Sequence, residues 1–228
     1  MNIIVTGASK GLGEILSRLF AGENHKVGLI ARSSELLETI CRDLNAANSG
    51  SAHFTSCDLT DANATMIALK KLISKMGGVD VLINNAGQVV RKGISGISPE
   101  EWNMSLATNV TTAFLCTKIV VPYFLKTGAG HIINISSLST KIPLERGIAY
   151  GAGKHALNGF SASLVHELHS YGIKVCIIHP GAFSIKEDHP EEWKMPASEI
   201  FRACQFVLNS HPKAFIEEMI VRPLRWPE

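Results

Sequence analysis

A phenol and an ammonium group are spaced so that a helix would bring them together: Tyr150 is followed four positions later by Lys154. If Tyr150 opens a helix, side chains at i and i+4 lie on one face. An ammonium beside a phenol favours the phenolate and is expected to lower a pKa that otherwise lies near ~10. Tyr150 would then serve as a general acid near neutral pH. The pair is typical of a site that protonates a carbonyl oxygen while another group attacks the carbon.

Hydroxyl side chains reach the same region from a predicted strand. The apolar run His131–Ser136 delivers Ser136 and Ser137 at its carboxyl end, and either hydroxyl could bind the same substrate oxygen. The Tyr-x-x-x-Lys spacing alone is weak evidence, because such spacings also arise by chance. The structural alternative is a half-buried Tyr at a helix start beside a Lys whose stem packs along it. The surrounding elements decide between the two interpretations.

Composition favours one compact α/β domain. The 228 residues are 46% hydrophobic and 18% charged with a net charge of +2, which suits a substantial core. Lys and Arg form no basic stripe, so no nucleic-acid partner is expected. No run approaches the ~20 apolar residues of a membrane span, and the opening run Ile3–Val5 is too short for a signal peptide. The five cysteines form no C-x-x-C pair, which favours a reducing compartment and a cytoplasmic location.

A glycine-rich turn follows the first predicted strand, Asn2–Thr6. A strand, a glycine turn and a helix running to about Gly22 leave the backbone free to approach a pyrophosphate at the helix N-terminus. The spacing is G-x-x-x-G-x-G, not the general G-x-G-x-x-G, and a turn without a ligand is the alternative. The turn residues predicted to contact a dinucleotide are Gly7, Ser9, Lys10, Gly11, Leu12 and Gly13.

The end of the second predicted strand, Lys26–Ala31, indicates which dinucleotide binds. A carboxylate at this position would bind the ribose of NAD, whereas an arginine accommodates a 2′-phosphate. The chain has Arg32 and Ser33 here, with no acid before Glu35, and Lys10 could reach the same phosphate. The sequence therefore predicts NADP(H). The alternative is that Arg32 is only solvated, although arginine is well suited to phosphate.

Strands and helices alternate along the remaining chain. Further strands are predicted at Ala52–Ser56, Val79–Ile83, Lys174–Ile178 and Phe215–Val221, and helices at Ser33–Ala47, Thr60–Met76, Ser98–Leu125, Tyr150–Tyr171 and Ala197–Asn209. This alternation implies right-handed crossovers and a doubly wound parallel sheet with helices on both faces, a three-layer α/β sandwich. Ligands bind at the carboxyl ends of such strands, where the unusual residues of this chain fall.

Six motifs in register carry a resemblance that covers essentially the whole chain. They are Thr6-Gly7-x-x-x-Gly11-x-Gly13, Asn84-Asn85-Ala86-Gly87, Asn109, Ser137, Tyr150-x-x-x-Lys154 and Pro180-Gly181. The chain resembles the short-chain dehydrogenase/reductase family. The resemblance implies one Rossmann-like domain over residues 1–228 with seven parallel strands, assembled as a homodimer or homotetramer. The short segment after Gly181 suggests a small substrate lid at about 183–209.

The resemblance also implies roles for single residues. Tyr150 would be the acid/base, Lys154 would lower its pKa and bind the nicotinamide ribose, Ser137 would orient the carbonyl, and Asn109 would hold a water that links Lys154 to bulk solvent. The further cofactor contacts implied by the resemblance or by position are Arg32, Ser33, Asp58, Leu59, Asn85, Ala86, Gly87, Pro180, Gly181 and Phe183, together with Tyr150 and Lys154.

The chain departs from the family pattern after Pro180-Gly181. Many members have a Val and then a Thr whose hydroxyl meets the nicotinamide carboxamide. Phe183 and Ile185 occupy these positions. The carboxamide would therefore rely on backbone contacts.

Other charged or metal-binding patterns are weaker. His166 and His169 are spaced i,i+3 rather than i,i+4, so a solvated helix surface is favoured over zinc and no metal is expected. His179 could touch the substrate, although filling space beside Pro180 is the favoured role. Arg91, Lys92, Lys141 and Arg146 lie in loops near the cleft. They could attract a carrier-linked substrate, but solvation is favoured.

Three functions remain open. The favoured one is an NADPH-dependent carbonyl reductase or alcohol dehydrogenase, with a small-molecule substrate and Tyr150 as the general acid. The second is reduction of a 3-oxoacyl group on an acyl carrier protein. The third is a non-catalytic NADP(H)-sensing or scaffold protein, which would be expected to have lost Tyr150 or Lys154.

Overall fold

Seven parallel strands form the central sheet of the protein. The computed structural model describes residues 1–185 and 193–225. Its strands are β1 (Asn2–Thr6), β2 (Lys26–Ala31), β3 (Ala52–Ser56), β4 (Val81–Asn84), β5 (Gly130–Ile135), β6 (Ile173–Pro180), the two-residue β7 (Phe183–Ser184) and β8 (Met195–Pro196), and β9 (Glu218–Val221). Its helices are α1 (Gly11–Gly22), α2 (Ser34–Ala47), α3 (Ala62–Met76), α4 (Pro99–Leu106), α5 (Thr112–Thr127), α6 (Ile148–Leu168) and α7 (Ser198–Leu208).

The strand order places a crevice beside β1. The sheet runs β3-β2-β1-β4-β5-β6-β9, with all neighbours parallel. The order reverses between β1 and β4, and ligands bind outside the carboxyl ends of strands at such a reversal. Thr6 ends β1 and Asn84 ends β4, so the glycine turn and the motif that begins at Asn84 meet at this point. The predicted doubly wound parallel sheet is confirmed.

Two apolar layers cover the sheet. On one face, Phe20 of α1 and Phe201 of α7 pack with ring centroids 4.8 Å apart. On the other face, Leu72 of α3 and Phe124 of α5 are fully buried with the residues of α6. Burial of apolar surface on both faces is what makes a parallel sheet stable. The three-layer sandwich is therefore present in the described residues.

A π-turn interrupts the helix predicted over Ser98–Leu125. Ser98 caps α4 as predicted, with a capping box in which Glu101 N–H donates to Ser98 Oγ and the Glu101 carboxylate accepts from Ser98 N–H. The turn Ala107–Thr111 then separates α4 from α5. Such turns insert one extra residue into a helix and are frequent at functional sites. The stretch Ala107–Thr111 contains no Gly or Pro, so its local sequence pattern does not predict an interruption of the helix.

The carboxyl-terminal part of the predicted lid belongs to the core. The lid was predicted at about 183–209, but the apolar face of α7 (Ile200, Cys204 and Val207) is buried against the sheet. The strands β7 and β8 pair with each other, and Ala197 N–H donates to the carbonyl of Ser184. Residues 186–192 lie outside the described residues. The described flanks of a lid are therefore limited to 183–185 and 193–197.

Boundaries elsewhere differ from the prediction by a few residues. The strand predicted to end at Ser136 ends at Ile135, so both serines follow it. The helix predicted to start at Tyr150 starts at Ile148, and the strand predicted from Phe215 starts at Glu218. Such shifts at element ends are ordinary, because end residues lack full hydrogen-bond partners.

The helical stretch Pro99–Thr127 is long and apolar enough to cross a bilayer by length and composition alone. The sequence expectation that no segment approaches a membrane span was therefore too strong. In the described fold, Cys116, Val120 and Phe124 of this stretch are fully buried in the core. A core helix of a globular domain passes the same test, and this packing accounts for the buried part of the apolar stretch.

We expect Gly13→Ala to destabilise the protein, because a Cβ at Gly13 would press against the carbonyl oxygen of Gly7 and lie 2.6 Å from Asn85 Nδ2. Overpacking of this kind costs about 1–3 kcal/mol, which corresponds to several degrees in a thermal-unfolding scan for a domain of this size. Gly22→Ala is the control, because a Cβ at Gly22 meets nothing within 4 Å and alanine favours the helix. Equal melting temperatures for the two variants would contradict this account.

Candidate active site

The glycine turn brings β1, α1 and the end of β4 into close contact. Gly7 has φ +65°, and a Cβ there would lie 3.0 Å from the Cα of Ala86. Lys10, the N-cap of α1, makes no side-chain capping hydrogen bond. The first N–H groups of a helix have no partner within the helix, so this end can bind an anion. A cradle of this shape fits the pyrophosphate of a dinucleotide.

Thr6 holds the turn in place, a role that the sequence analysis missed. Its Oγ1 accepts hydrogen bonds at 2.9 Å from the N–H groups of Asn85 and Ala86. Asn85 in turn donates from Nδ2 to the carbonyl of Thr6 at 2.9 Å and to that of Gly7 at 3.4 Å. Asn85 was predicted to contact a cofactor, but its side-chain amide donates its hydrogen bonds to the glycine turn. Its contribution to a ligand would be to shape the cradle.

Cations lie at the ends of β1 and β2. Arg32 and Lys10 are both exposed. Lys10 is the charged residue of the glycine turn, residues 6–13. Asp58 follows β3, where N–H and O–H hydrogen bonds from Thr60 hold the pKa of its carboxyl below the usual range and Arg32 lowers it further. Asp58, one of the predicted cofactor contacts, thus stays ionised near neutral pH. Ser33 caps α2 without a side-chain hydrogen bond.

Two predicted cofactor residues are core residues by their side chains. Leu12 is 8% exposed and packs with α1's apolar face, and Leu59 is 5% exposed in the cluster on the opposite face of the sheet. Only their backbone can meet a ligand. These two leucine side chains remove apolar surface from water by packing in the core, which stabilises the fold. Their burial also holds the adjoining backbone at the edge of the sheet.

Ser137, and not Ser136, faces Tyr150. Ser137 and Tyr150 line the same cavity, and the Ser137 hydroxyl acts to lower the pKa of the Tyr150 phenol. Ser137 Oγ accepts a hydrogen bond from the N–H of Ser139 at 3.1 Å. Ser136 points the other way and donates to Asn158 Oδ1 at 2.8 Å. Successive side chains of extended backbone alternate sides. The sequence left either Ser136 or Ser137 as the substrate-binding hydroxyl, and the structure favours Ser137.

The pKa of Tyr150 moves in the direction opposite to the prediction. Burial raises the pKa of the phenol, and the hydrogen bond from Ser137 opposes this increase. Lys154 Nζ lies 5.8 Å from the centroid of the Tyr150 ring and donates instead to the carbonyl of Ile135 at 2.8 Å. Burial in turn lowers the pKa of Lys154 to about 8. The expected direct Lys–phenol coupling is therefore absent from the described structure, because the ammonium is turned toward the backbone of β5.

Asn109 lies beside Lys154, at the centre of the π-turn. A Cβ at Gly87 would lie 2.8 Å from Asn109 Oδ1 and 3.3 Å from Lys154 Nζ. Asn109 is 1% exposed, and its Nδ2 donates at 2.9 Å to the carbonyls of Gln88 and Ser105. The amide thus ties the loop after β4 to α4. A buried amide needs such partners, and the water-holding role expected of Asn109 stays a prediction.

A buried histidine, His179, contacts the backbone of Ser137, and the sequence did not predict this contact. His179 is fully buried, with Nδ1 3.2 Å from the carbonyl oxygen of Ser137 and 2.9 Å from Thr140 Oγ1. Its Nε2 lies 2.8 Å from Glu218 Oε1, and Glu218 also pairs with Lys141. Burial lowers the pKa of His179. The favoured interpretation of His179 as space-filling was too modest, since its ring also binds the segment that carries Ser137.

A cavity of about 410 Å³ opens in front of Tyr150 and Ser137. Gly181, Ala182 and Phe183 form one wall, so the residues after β6 lie where they were predicted to meet a ligand. Pro180 is in register with Val221, and Gly181 N–H donates to the carbonyl of Val221 at 2.7 Å, which fixes this turn to β9. Ile185 is 57% exposed and does not line the cavity.

His166 lies in the last turn of α6, and His169 lies in the 3₁₀ turn that follows it. The His166 and His169 rings are 6.2 Å apart, and His169 Nδ1 lies 2.9 Å from the carbonyl of His166. Across residues 1–185 and 193–225, no group of three possible ligands comes together. The pair lies at the carboxyl end of α6, far along the helix from Tyr150.

Comparisons with known proteins agree with this geometry. Residues 1–193 match the model of the short chain dehydrogenase family. The chain belongs to the short-chain dehydrogenase/reductase family. An uncharacterised oxidoreductase of Staphylococcus epidermidis is 30% identical over 225 residues, 97% of this chain and 96% of that protein. The 3-ketodihydrosphingosine reductase of Bacteroides thetaiotaomicron is 34% identical over 80% of this chain and 64% of that protein.

A solved structure is also similar over nearly the whole chain. A metagenomic short-chain oxidoreductase in complex with NADP superposes with a TM-score of 0.86 at 30% identity, covering 99% of this chain and 98% of that one. This short-chain dehydrogenase/reductase is thus an oxidoreductase. The family recognised from six sequence motifs is confirmed.

The burial of Lys154 gives a pH-dependent contribution to stability. Its pKa is about 8 in the folded chain and near ~10.4 in an unfolded one. The charged form is thus penalised in the fold below about pH 8, and the penalty disappears as pH rises toward 10. We expect the free energy of unfolding of the wild type, relative to Lys154→Met, to increase by up to about 3 kcal/mol over this range. Denaturant titrations at pH 7.5 and 10 measure this, and parallel curves for the two proteins would contradict it.

Proposed function

We propose that this oxidoreductase is an NADPH-dependent carbonyl reductase, which also catalyses the reverse alcohol oxidation. The observation that carries the proposal is that the hydroxyls of Ser137 and Tyr150 belong to the lining of one cavity of about 410 Å³. Both point to a place where a carbonyl oxygen can accept two hydrogen bonds. A non-catalytic sensor or scaffold would have no use for this pair, which supports the enzymatic interpretation.

Each residue of the site has a task in carbonyl reduction. When bound, NADPH supplies the hydride for the carbonyl carbon. Tyr150 Oη donates its proton to the carbonyl oxygen, and Ser137 Oγ donates a hydrogen bond that orients the same oxygen and stabilises its developing charge. The raised pKa of Tyr150 keeps the phenol protonated before reaction, as an acid requires. Asn109 and Lys154 lie behind the phenol as the route for proton resupply.

The preference for NADPH rests on charge. Arg32 at the end of β2 and Lys10 in the glycine turn are exposed cations, and no carboxylate follows β2 before Glu35. Arginine binds phosphate oxygens through two parallel N–H donors. The metagenomic relative in complex with NADP supports the same cofactor for this chain. The glycine turn and the N-terminus of α1 would hold the pyrophosphate.

Assembly and location stay predictions. A homodimer or homotetramer is supported by apolar side chains exposed on the helices, among them Met104 and Phe114 at 53% and 43%. A cytoplasmic location is supported by five cysteines that are all buried and unpaired.

Tyr150→Phe is expected to abolish reduction while NADPH binding stays within a few-fold, because the ring remains and only the proton donor is lost. General acids contribute about 10²- to 10⁴-fold to rates. Oxidation of NADPH with a panel of ketones, diketones and 3-oxoacyl thioesters measures turnover, and fluorescence titration measures binding. Tyr171→Phe, a change at a 56% exposed tyrosine, serves as the matched control. Turnover retained by Tyr150→Phe would refute the acid role.

Arg32→Glu is expected to narrow or reverse a preference for NADPH over NADH. The carboxylate would repel the 2′-phosphate and could accept hydrogen bonds from a ribose. Dissociation constants for both nucleotides give the ratio in the wild type and the variant. Arg42→Glu makes the same charge change on the exposed surface of α2 and should leave the ratio unchanged. Equal affinity of the wild type for NADPH and NADH would count against the assignment.

A further inference from the structure

The walls of the cavity are largely apolar around the hydroxyl-bearing residues Ser137, Ser139 and Tyr150. Val89 and Leu138 line it together with Ile142, Leu144 and Phe183. Apolar walls favour a hydrocarbon part of a ligand by removing its surface from water. The volume of about 410 Å³ is in the lower part of the range for small-molecule sites. The walls therefore fit a substrate of modest size with an apolar chain next to its carbonyl.

The charge at the mouth of the cavity has one sign. Arg91 and Lys194 line it, and no Asp or Glu does so among the residues that the structure describes. Lys194 Nζ also lies over the Trp193 ring, 5.4 Å from its centroid. Arg91 is exposed and has no hydrogen bond or ion pair with any residue in 1–185 or 193–225. Its guanidinium therefore has no partner among the described residues and is available to a ligand.

The backbone next to Arg91 is fixed. Lys92 pairs with Glu101 of α4 and forms a β-bridge with Gly147, the residue before α6. Glu101 itself is held by the capping box of Ser98. The neighbouring cations of the same region differ from Arg91, since Lys92 is paired and Arg146 does not line the cavity. The backbone that carries Arg91 is thus held in place through Lys92. This distinguishes Arg91 from a charged residue on an unattached surface loop.

We propose that the substrate carries a carboxylate at the end of its apolar chain, and that Arg91 binds this carboxylate while Ser137 and Tyr150 bind the carbonyl. The inference rests on the proposed reductase function and specifies its substrate class, an oxo acid with a short hydrocarbon spacer. Guanidinium and carboxylate form two parallel N–H···O hydrogen bonds. The apolar side chains that line the same cavity would select the spacer. Arg91 is then a specificity-determining residue.

The experiment compares oxo acids of increasing chain length with their methyl esters, using NADPH oxidation by the wild type, Arg91→Gln and Arg146→Gln. A charge-assisted hydrogen bond contributes about 1.5–3 kcal/mol, so the wild type should favour the best acid over its ester by roughly tenfold or more in kcat/KM. Arg91→Gln should remove that preference mainly through KM and leave the ester within about twofold. Arg146→Gln should leave both substrates unchanged.

Three results would overturn the assignment. Equal turnover of acids and esters by the wild type would do so while leaving the reductase function intact. Equal losses for acid and ester in Arg91→Gln would show a structural role. A preference for coenzyme A thioesters over both free acids and neutral thioesters would mean that the anion is the phosphate of a carrier arm.

Binding is measured separately from turnover. With saturating NADP⁺, calorimetric titration of the same oxo acids into the wild type and Arg91→Gln reports the carboxylate contact even if no carbonyl is reduced. Affinity that falls about tenfold in Arg91→Gln supports the carboxylate site, and identical affinities, or no binding to either protein, overturn it. Failure of turnover with retained, Arg91-dependent binding would instead refute the reductase proposal alone.

Discussion

The site depends on one hydrogen bond, from the buried ammonium of Lys154 to the carbonyl of Ile135. A charge 4% exposed is expensive to bury unless it is satisfied. The bond joins the first half of α6 to the last residue of β5, so it also sets where Tyr150 meets Ser137. Asn109 can approach the same ammonium only because Gly87 and Gly153 lack side chains, since a Cβ at either would lie within 3 Å of Asn109. The helix, the strand and the π-turn are thus fitted around one cation.

A second set of contacts builds the cofactor cradle from backbone. The hydroxyl of Thr6 and the amide of Asn85 are both used within the protein, between the turns that follow β1 and β4. These contacts hold the two turns together, and the N-cap of the adjoining α1 makes no side-chain capping hydrogen bond. Polar side chains that bind each other can therefore determine a ligand site as firmly as side chains that touch the ligand. The glycine turn approaches Ala86, and the Lys154 ammonium approaches Gly87, so both adjoin the same loop after β4.

The sequence was sufficient for the fold and for the position of most site residues, because parallel strands bring their carboxyl ends to one edge. Glycine spacing located the cradle, and the i,i+4 rule placed Tyr150 beside Lys154. The sequence was not sufficient to predict the direction in which the pKa of Tyr150 is shifted. Burial of the phenol and the direction of the Lys154 ammonium depend on contacts with β5, which the pattern of α6 does not contain. The roles of Thr6 and His179 escaped for the same reason: their partners are distant in sequence. A signal for them existed, since a polar residue that ends an apolar strand needs a buried partner.

The bridge between Lys92 and Gly147 makes the entrance asymmetric. It ties the loop after β4 to the start of α6, so these two segments form one joined rim. Adjustment to compounds of different length would then fall on other lining residues, such as Phe183 after β6. Diversification of such an enzyme would proceed by exchanging residues after Gly181, while the rim and the hydroxyl pair stay as they are. Engineering of new selectivity has its natural starting point there.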